Sequence, residues 1–135
     1  MFWYNPTITQ TERDYPMSIK LEQITLAAEH VEAVTNFYDA VFGTALTADD
    51  TPMGVKIYVG TLAGIAFPVC PNTIAGVDAR QNRQQFQFQV DDIDAVYALA
   101  LAHGGRALQA VEAIDGVKVA SVYDPDGNSI VLRGN

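Results

Sequence analysis

The chain has 135 residues, 49% of them hydrophobic and 18% charged, which suits one compact domain or two half-domains sharing a core. Eight Lys+Arg against sixteen Asp+Glu leave a net charge of −8, which argues against nucleic acid or an anionic membrane as partner and is compatible with a small cationic ligand. No apolar run approaches the roughly 18 residues of a membrane helix and no basic segment precedes an apolar one, so the sequence reads as soluble and cytoplasmic.

The chain opens with an aromatic arm, residues 1–16, holding Phe2, Trp3 and Tyr4 without a helix or strand period. Such an arm is expected to pack, either on its own body or on a partner subunit. From Met17 onward the sequence is a single domain, 17–135, made of two copies of one unit. Sliding the sequence by 62 sets LEQITLAAEHVEAVTNFYDAVFGTALTA against RQQFQFQVDDIDAVYALALAHGGRALQA without a gap, with twelve identities between positions 23 and 69.

Each copy begins with strict alternation, clearest in Gln85-Phe86-Gln87-Phe88-Gln89-Val90, which predicts a strand with one apolar face. A helix follows. Val31, Val34, Phe37, Tyr38 and Val41 recur at helical spacing up to Gly43, and Ile93, Val96, Leu99 and Ala100 up to Gly104-Gly105, with Asp91 or Asp92 as cap. Three strands complete each copy, near 44–48, 54–60 and 63–70 in the first and 106–113, 116–123 and 129–133 in the second. Cys70, at the end of the first copy, is the single cysteine; it excludes an internal disulfide and is expected to be a small buried residue. Residues 71–83, PNTIAGVDARQNR, read as the linker between modules 19–70 and 84–133. Asp124-Pro125-Asp126-Gly127-Asn128 reads as the turn of the last hairpin.

The segments LEQITLAAEHVEAVTNFYDAVFG, FQFQVDDIDAVYALALAHGG and VYDPDGNSIVL, in two βαβββ copies, resemble the vicinal oxygen chelate superfamily, which includes glyoxalase I, extradiol dioxygenases and bleomycin resistance proteins. The resemblance covers residues 19–133. It implies an α+β fold in which two βαβββ modules form curved mixed sheets around a cleft with the helices outside, and a homodimer as the assembly.

Alternation assigns the faces independently of the resemblance. Ile24, Leu26, Phe86, Phe88, Val90, Ile130 and Leu132 cover the helices, which leaves Gln23, Thr25, Ala27, Gln85, Gln87, Gln89, Ser129, Val131 and Arg133 on the other face, with Lys56, Tyr58 and Lys118 as possible additions from the middle strands. The ligand-binding candidates are Gln23, Thr25, Tyr58, Phe67, Gln85, Gln87 and Val131, with Trp3 in reserve, since amides both donate and accept and aromatic rings stack on planar groups or cations.

In metal-dependent members of the superfamily the ligands sit on the first and last strand of each copy. Carried onto this chain, the resemblance puts those positions at Gln23, near Val69, Gln85 and Val131. Two amides and two valines make a poor site for a divalent ion, although glutamine at the first-strand position occurs in glyoxalase I. Glu22 points to the opposite face; His30 is expected at the surface near a strand end, and His103 at a helix C-terminus. No metal ligand and no cofactor are assigned, a divalent metal being disfavoured. The sequence thus favours a metal-free small-molecule binding protein that sequesters an aromatic or cationic compound. The alternatives are a divalent-metal-dependent lyase, isomerase or dioxygenase, and a catalytically silent interaction module.

Overall fold

The computed structural model describes residues 20–51 and 54–135; the aromatic arm, Trp3 included, lies outside them. The first module runs β1 (Leu26–Ala28), α1 (Val31–Phe42), β2 (Thr47–Asp50), β3 (Lys56–Val59), a small hairpin β4 (Thr61–Leu62) and β5 (Ile65–Ala66), and β6 (Val69–Pro71). A short helix α2 (Asn72–Ala75) opens the linker. The second module runs β7 (Phe86–Val90), α3 (Ile93–Ala102), β8 (Arg106–Ile114), β9 (Val117–Tyr123) and β10 (Ser129–Gly134). Among the described residues there is no helix long and apolar enough to cross a membrane.

Each module folds into a four-stranded mixed sheet of matching order, β1-β6-β3-β2 and β7-β10-β9-β8. First and last strands pair in parallel, Leu26 opposite Val69 and Phe86 opposite Ile130, and the remaining pairs are antiparallel. The helix-facing sides of both sheets and both long helices close on one core containing Leu26, Phe37, Tyr38, Phe67, Val69, Ile93, Val122, Ile130 and Leu132. The seven residues assigned to the helix-facing side from alternation all contribute to that core or pack against it. An aromatic chain crosses the module boundary: Phe42 stacks on Phe88 at 4.3 Å between centroids, and Phe67 meets Phe86 edge-on at 6.0 Å.

Local chemistry explains the helix ends. Gly43 ends α1 in the left-handed conformation, its N–H returning to the Asp39 carbonyl at 3.1 Å. Asp92 caps α3 by accepting from the Ala95 N–H at 3.1 Å, as its position in the sequence suggested. The start of α1 has no side-chain cap of its own. Its acceptor comes from the other module: Asp126, in the last hairpin, takes the N–H of Glu29 at 2.7 Å and of His30 at 3.1 Å, and lies 2.9 Å from His30 Nδ1. A carboxylate there complements the positive end of the helix.

Gly105 follows α3 where nothing larger fits. A Cβ would stand 2.7 Å from the Ala100 carbonyl oxygen and 2.8 Å from both Phe37 Cε2 and the Tyr123 carbonyl oxygen. Two of the three are backbone atoms that cannot turn aside. Gly105→Ala is therefore expected to destabilise the chain by about 1–3 kcal/mol in urea unfolding, and an unchanged midpoint would contradict this packing.

Of three departures from the expected strands, two share one cause, a register that alternation could not set. The expected strand 63–70 is broken by Pro68 into β5 and β6. Leu26 pairs with Val69 whereas Phe88 pairs with Leu132, so the second copy holds one extra residue before its last strand and Val69 corresponds to Leu132 rather than to Val131. Val69 is accordingly a core residue and not an open-face position. The middle strands show a parity shift too. Tyr58 pairs with Val69 and packs against the core, and Lys56 shares its face. Lys118 reaches Asp94 of α3 at 2.7 Å, also on the helix side.

Candidate functional site

The face of each sheet turned away from the core carries the polar rows. On the second sheet the register aligns Gln85, Gln87 and Gln89 of the β7 row with Ser129, Val131 and Arg133 of β10, and these with Tyr123, Ser121 and Val119 of β9. Gln109 and Arg106 extend the face onto β8, where the Arg106 guanidinium lies 5.0 Å from the centre of the Tyr123 ring. The three glutamines are exposed. Gln85 Nε2 donates to Ser129 Oγ at 2.9 Å, joining first and last strands, and Ser121 Oγ donates to Gln109 Oε1 at 3.4 Å.

Two open grooves, each of about 650 Å³, lie at the two ends of this face. One is lined by Gln87, Gln89, Asp91, Val117 and Arg133, the other by linker residues Arg80, Asn82 and Arg83 with Gln84, Gln85 and Ser129. The second groove was not legible as a site, because Pro, Asn and Gly content marked residues 71–83 only as linker; the signal available was its two arginines.

The expected ligand residues separate into three groups. Gln85, Gln87 and Val131 share the second sheet's open face, where Val131 forms a floor only 3% exposed. Gln23 and Thr25 are exposed beside the first sheet, where Gln23 Nε2 donates to Thr25 Oγ1 at 2.9 Å and Gln23 bridges to Ala66. Phe67 and Tyr58 face the core. Phe67 is fully buried, 5.3 Å from the Tyr38 ring, and leaves the ligand set. Cys70 is buried, as anticipated, and burial raises its thiol pKa.

These side chains do not fit a divalent ion. The register places the open-face partners at Gln23, Thr25, Ala66 and Pro68 in one module and Gln85, Gln87, Ser129 and Val131 in the other. Amides and hydroxyls are weak donors and the rest have no side-chain lone pair. Among the described residues no three His, Cys, Asp or Glu side chains converge.

The last hairpin supplies the electrostatic centre of the fold instead. Asp124 is fully buried and accepts from Tyr38 Oη at 3.1 Å, Asn128 Nδ2 at 2.8 Å, and the N–H groups of Asp126 and Asn128 at 2.9 Å each. Burial pushes its carboxyl pKa up, opposed by those four donors. Burial and then the Asp124 charge raise the Tyr38 phenol well above its ordinary value, which keeps it a neutral donor.

Paired βαβββ modules with a 1-4-3-2 strand order define the glyoxalase/bleomycin-resistance class of fold, and solved structures of that class superpose on this chain. A glyoxalase-related enzyme from Fulvimarina pelagi is 22% identical with a TM-score of 0.69, covering 86% of this chain and 88% of that one. TnmS3, an antibiotic binding protein from Streptomyces sp. CB03234, is 20% identical with a TM-score of 0.64, covering 87% and 98%. The fosfomycin resistance protein FosX from Mesorhizobium loti is 12% identical with a TM-score of 0.63, covering 88% and 93%. None of the curated proteins matches the sequence. The sequence profile of the glyoxalase-like domain matches residues 23–132, and the chain belongs to that family.

Proposed function

We propose that the protein binds a small organic molecule on the open face of the second sheet, without a metal ion, and that it does so as a homodimer whose second copy helps cover that face. The observation carrying this reading is the exposed row Gln85, Gln87 and Gln89 beside Ser129 and Arg133. It offers donors and acceptors in a fixed array, at the strands where a metal enzyme of this class would need acids or imidazoles. That structural neighbours include an antibiotic binding protein and a fosfomycin resistance protein supports a small-molecule role.

The test is a thermal-shift screen of small aromatic and polar compounds against the full chain, with calorimetric titration of Zn²⁺, Ni²⁺, Mn²⁺ and Fe²⁺ alongside and light scattering for the subunit count. A stabilising compound should lose up to about 1–3 kcal/mol of affinity in Gln85→Ala and in Gln87→Ala. Unchanged affinity in both would move the site elsewhere. Stoichiometric metal binding tighter than about micromolar, roughly 8 kcal/mol, would overturn the metal-free reading.

A further inference from the structure

We infer that the groove beside Gln85 and Ser129 is the anion-recognising end of the binding face and takes small organic molecules bearing a carboxylate or a phosphonate. This rests on the small-molecule reading above and adds the charge of the ligand to it. The net charge of −8 suggested a cationic ligand, but that charge is not spread evenly: from Ala79 to Val90 the sequence carries two arginines and no acid. Both, Arg80 and Arg83, are exposed and line this groove. Among the described residues the ion pairs are His30–Asp126 and Lys118–Asp94, so neither guanidinium is neutralised by an acid there. The opposite groove differs, because Asp91 stands with Arg133 in its lining and offsets it.

The arginines sit on a segment fixed from both sides. Asn72 Nδ2 donates to the Ala79 carbonyl at 2.9 Å, Gln81 Nε2 to the Gly127 carbonyl at 2.6 Å, the Asn82 N–H to Asn128 Oδ1 at 2.6 Å, and Asn82 Nδ2 to the Ala27 carbonyl at 2.9 Å. The linker backbone is thereby tied to β1 and to the last hairpin, which lowers the ordering cost of presenting both guanidiniums together. Ser129 Oγ accepts from Gln85, and its own hydrogen is not engaged among the described residues. Two planar guanidinium forks and a hydroxyl donor match the oxygens of a carboxylate or phosphonate, whereas a cation gains nothing from those three groups.

Four probes that share one ring, with inorganic phosphate as a fifth that lacks it, decide the matter in calorimetry on the full chain at low salt: benzoate, phenylphosphonate, benzyl alcohol and benzyltrimethylammonium. The two anions are expected to bind at least about tenfold tighter than the alcohol, and the ammonium weakest. Added salt should weaken the anions alone. The double variant Arg80→Gln/Arg83→Gln should lose the anion preference while its melting temperature stays put, since both side chains are exposed. Which anion binds tighter identifies the oxyanion geometry favoured. Equal or tighter binding of the alcohol or the ammonium overturns the inference yet leaves the small-molecule reading standing, as does an anion preference that survives in the double variant. Inorganic phosphate matching phenylphosphonate would also overturn it, by reducing the groove to a simple ion site. No binding of any probe overturns it as well, and the wider thermal-shift screen then decides the parent reading separately.

Discussion

Replacing Asp124 by alanine is expected to cost about 3–5 kcal/mol of unfolding free energy, measured by urea denaturation, a large part of the roughly 5–15 kcal/mol that holds a domain of this size together. The substitution removes the acceptor of a buried phenol, of a buried amide and of two turn N–H groups at once. Each donor left dry costs about 1–3 kcal/mol. Asp124→Asn keeps the shape and one acceptor oxygen and should lose less. The pH dependence has a definite sign. Because the folded carboxyl pKa lies above its ordinary 3.8, the folded state holds this proton more tightly than the unfolded state. The cost of burying the ionised form is fully present above the folded pKa and disappears as the pH falls past 3.8. Asparagine gains nothing over that interval, so the deficit of Asp124→Asn relative to the native chain should widen as the pH is lowered through it. A constant deficit would show that Asp124 titrates normally.

The second large effect concerns Phe67. Alanine there should cost about 3–5 kcal/mol, since the ring is fully buried against Tyr38 and Phe86 and its removal leaves a cavity at the boundary of the two modules. Phe67→Leu should cost less, and any ligand affinity should survive in it. Loss of ligand affinity at unchanged stability would return Phe67 to the binding face.

Phe67 shows what a single sequence can carry, since its aromatic character alone offers it as a ligand residue while the fold buries it. Where alternation is strict, as in Gln85 to Val90, every face was assigned correctly, because each apolar residue has a polar neighbour to fix its parity. In Lys56-Ile57-Tyr58-Val59 and Ile65-Ala66-Phe67-Pro68-Val69 apolar side chains occur on both faces, and parity then depends on pairing partners. The identity of Val69 with Val131 concealed the one-residue difference between the copies, and a slip of one residue exchanges the two faces of a strand. The glutamine rows were legible. The Asp124–Tyr38 contact was not, for its partners lie 86 residues apart and the DPDGN sequence announces only a turn.

The capping of α1 by Asp126 bears on how the chain comes to be folded. Polypeptide leaves the ribosome from its N-terminus, so α1 is synthesised early, yet the carboxylate that accepts the N–H groups at its start lies 96 or more residues further on. The Tyr38 hydroxyl likewise waits for Asp124. Until β7 emerges the rings of Phe42 and Phe67 lack Phe88 and Phe86, and until the final hairpin emerges the Tyr38 hydroxyl and the N–H groups at the start of α1 have only water as partner. The two halves repeat in sequence, but the contacts that complete the first are supplied by the second, so the first half is expected to finish folding only after residues 86–128 have been made.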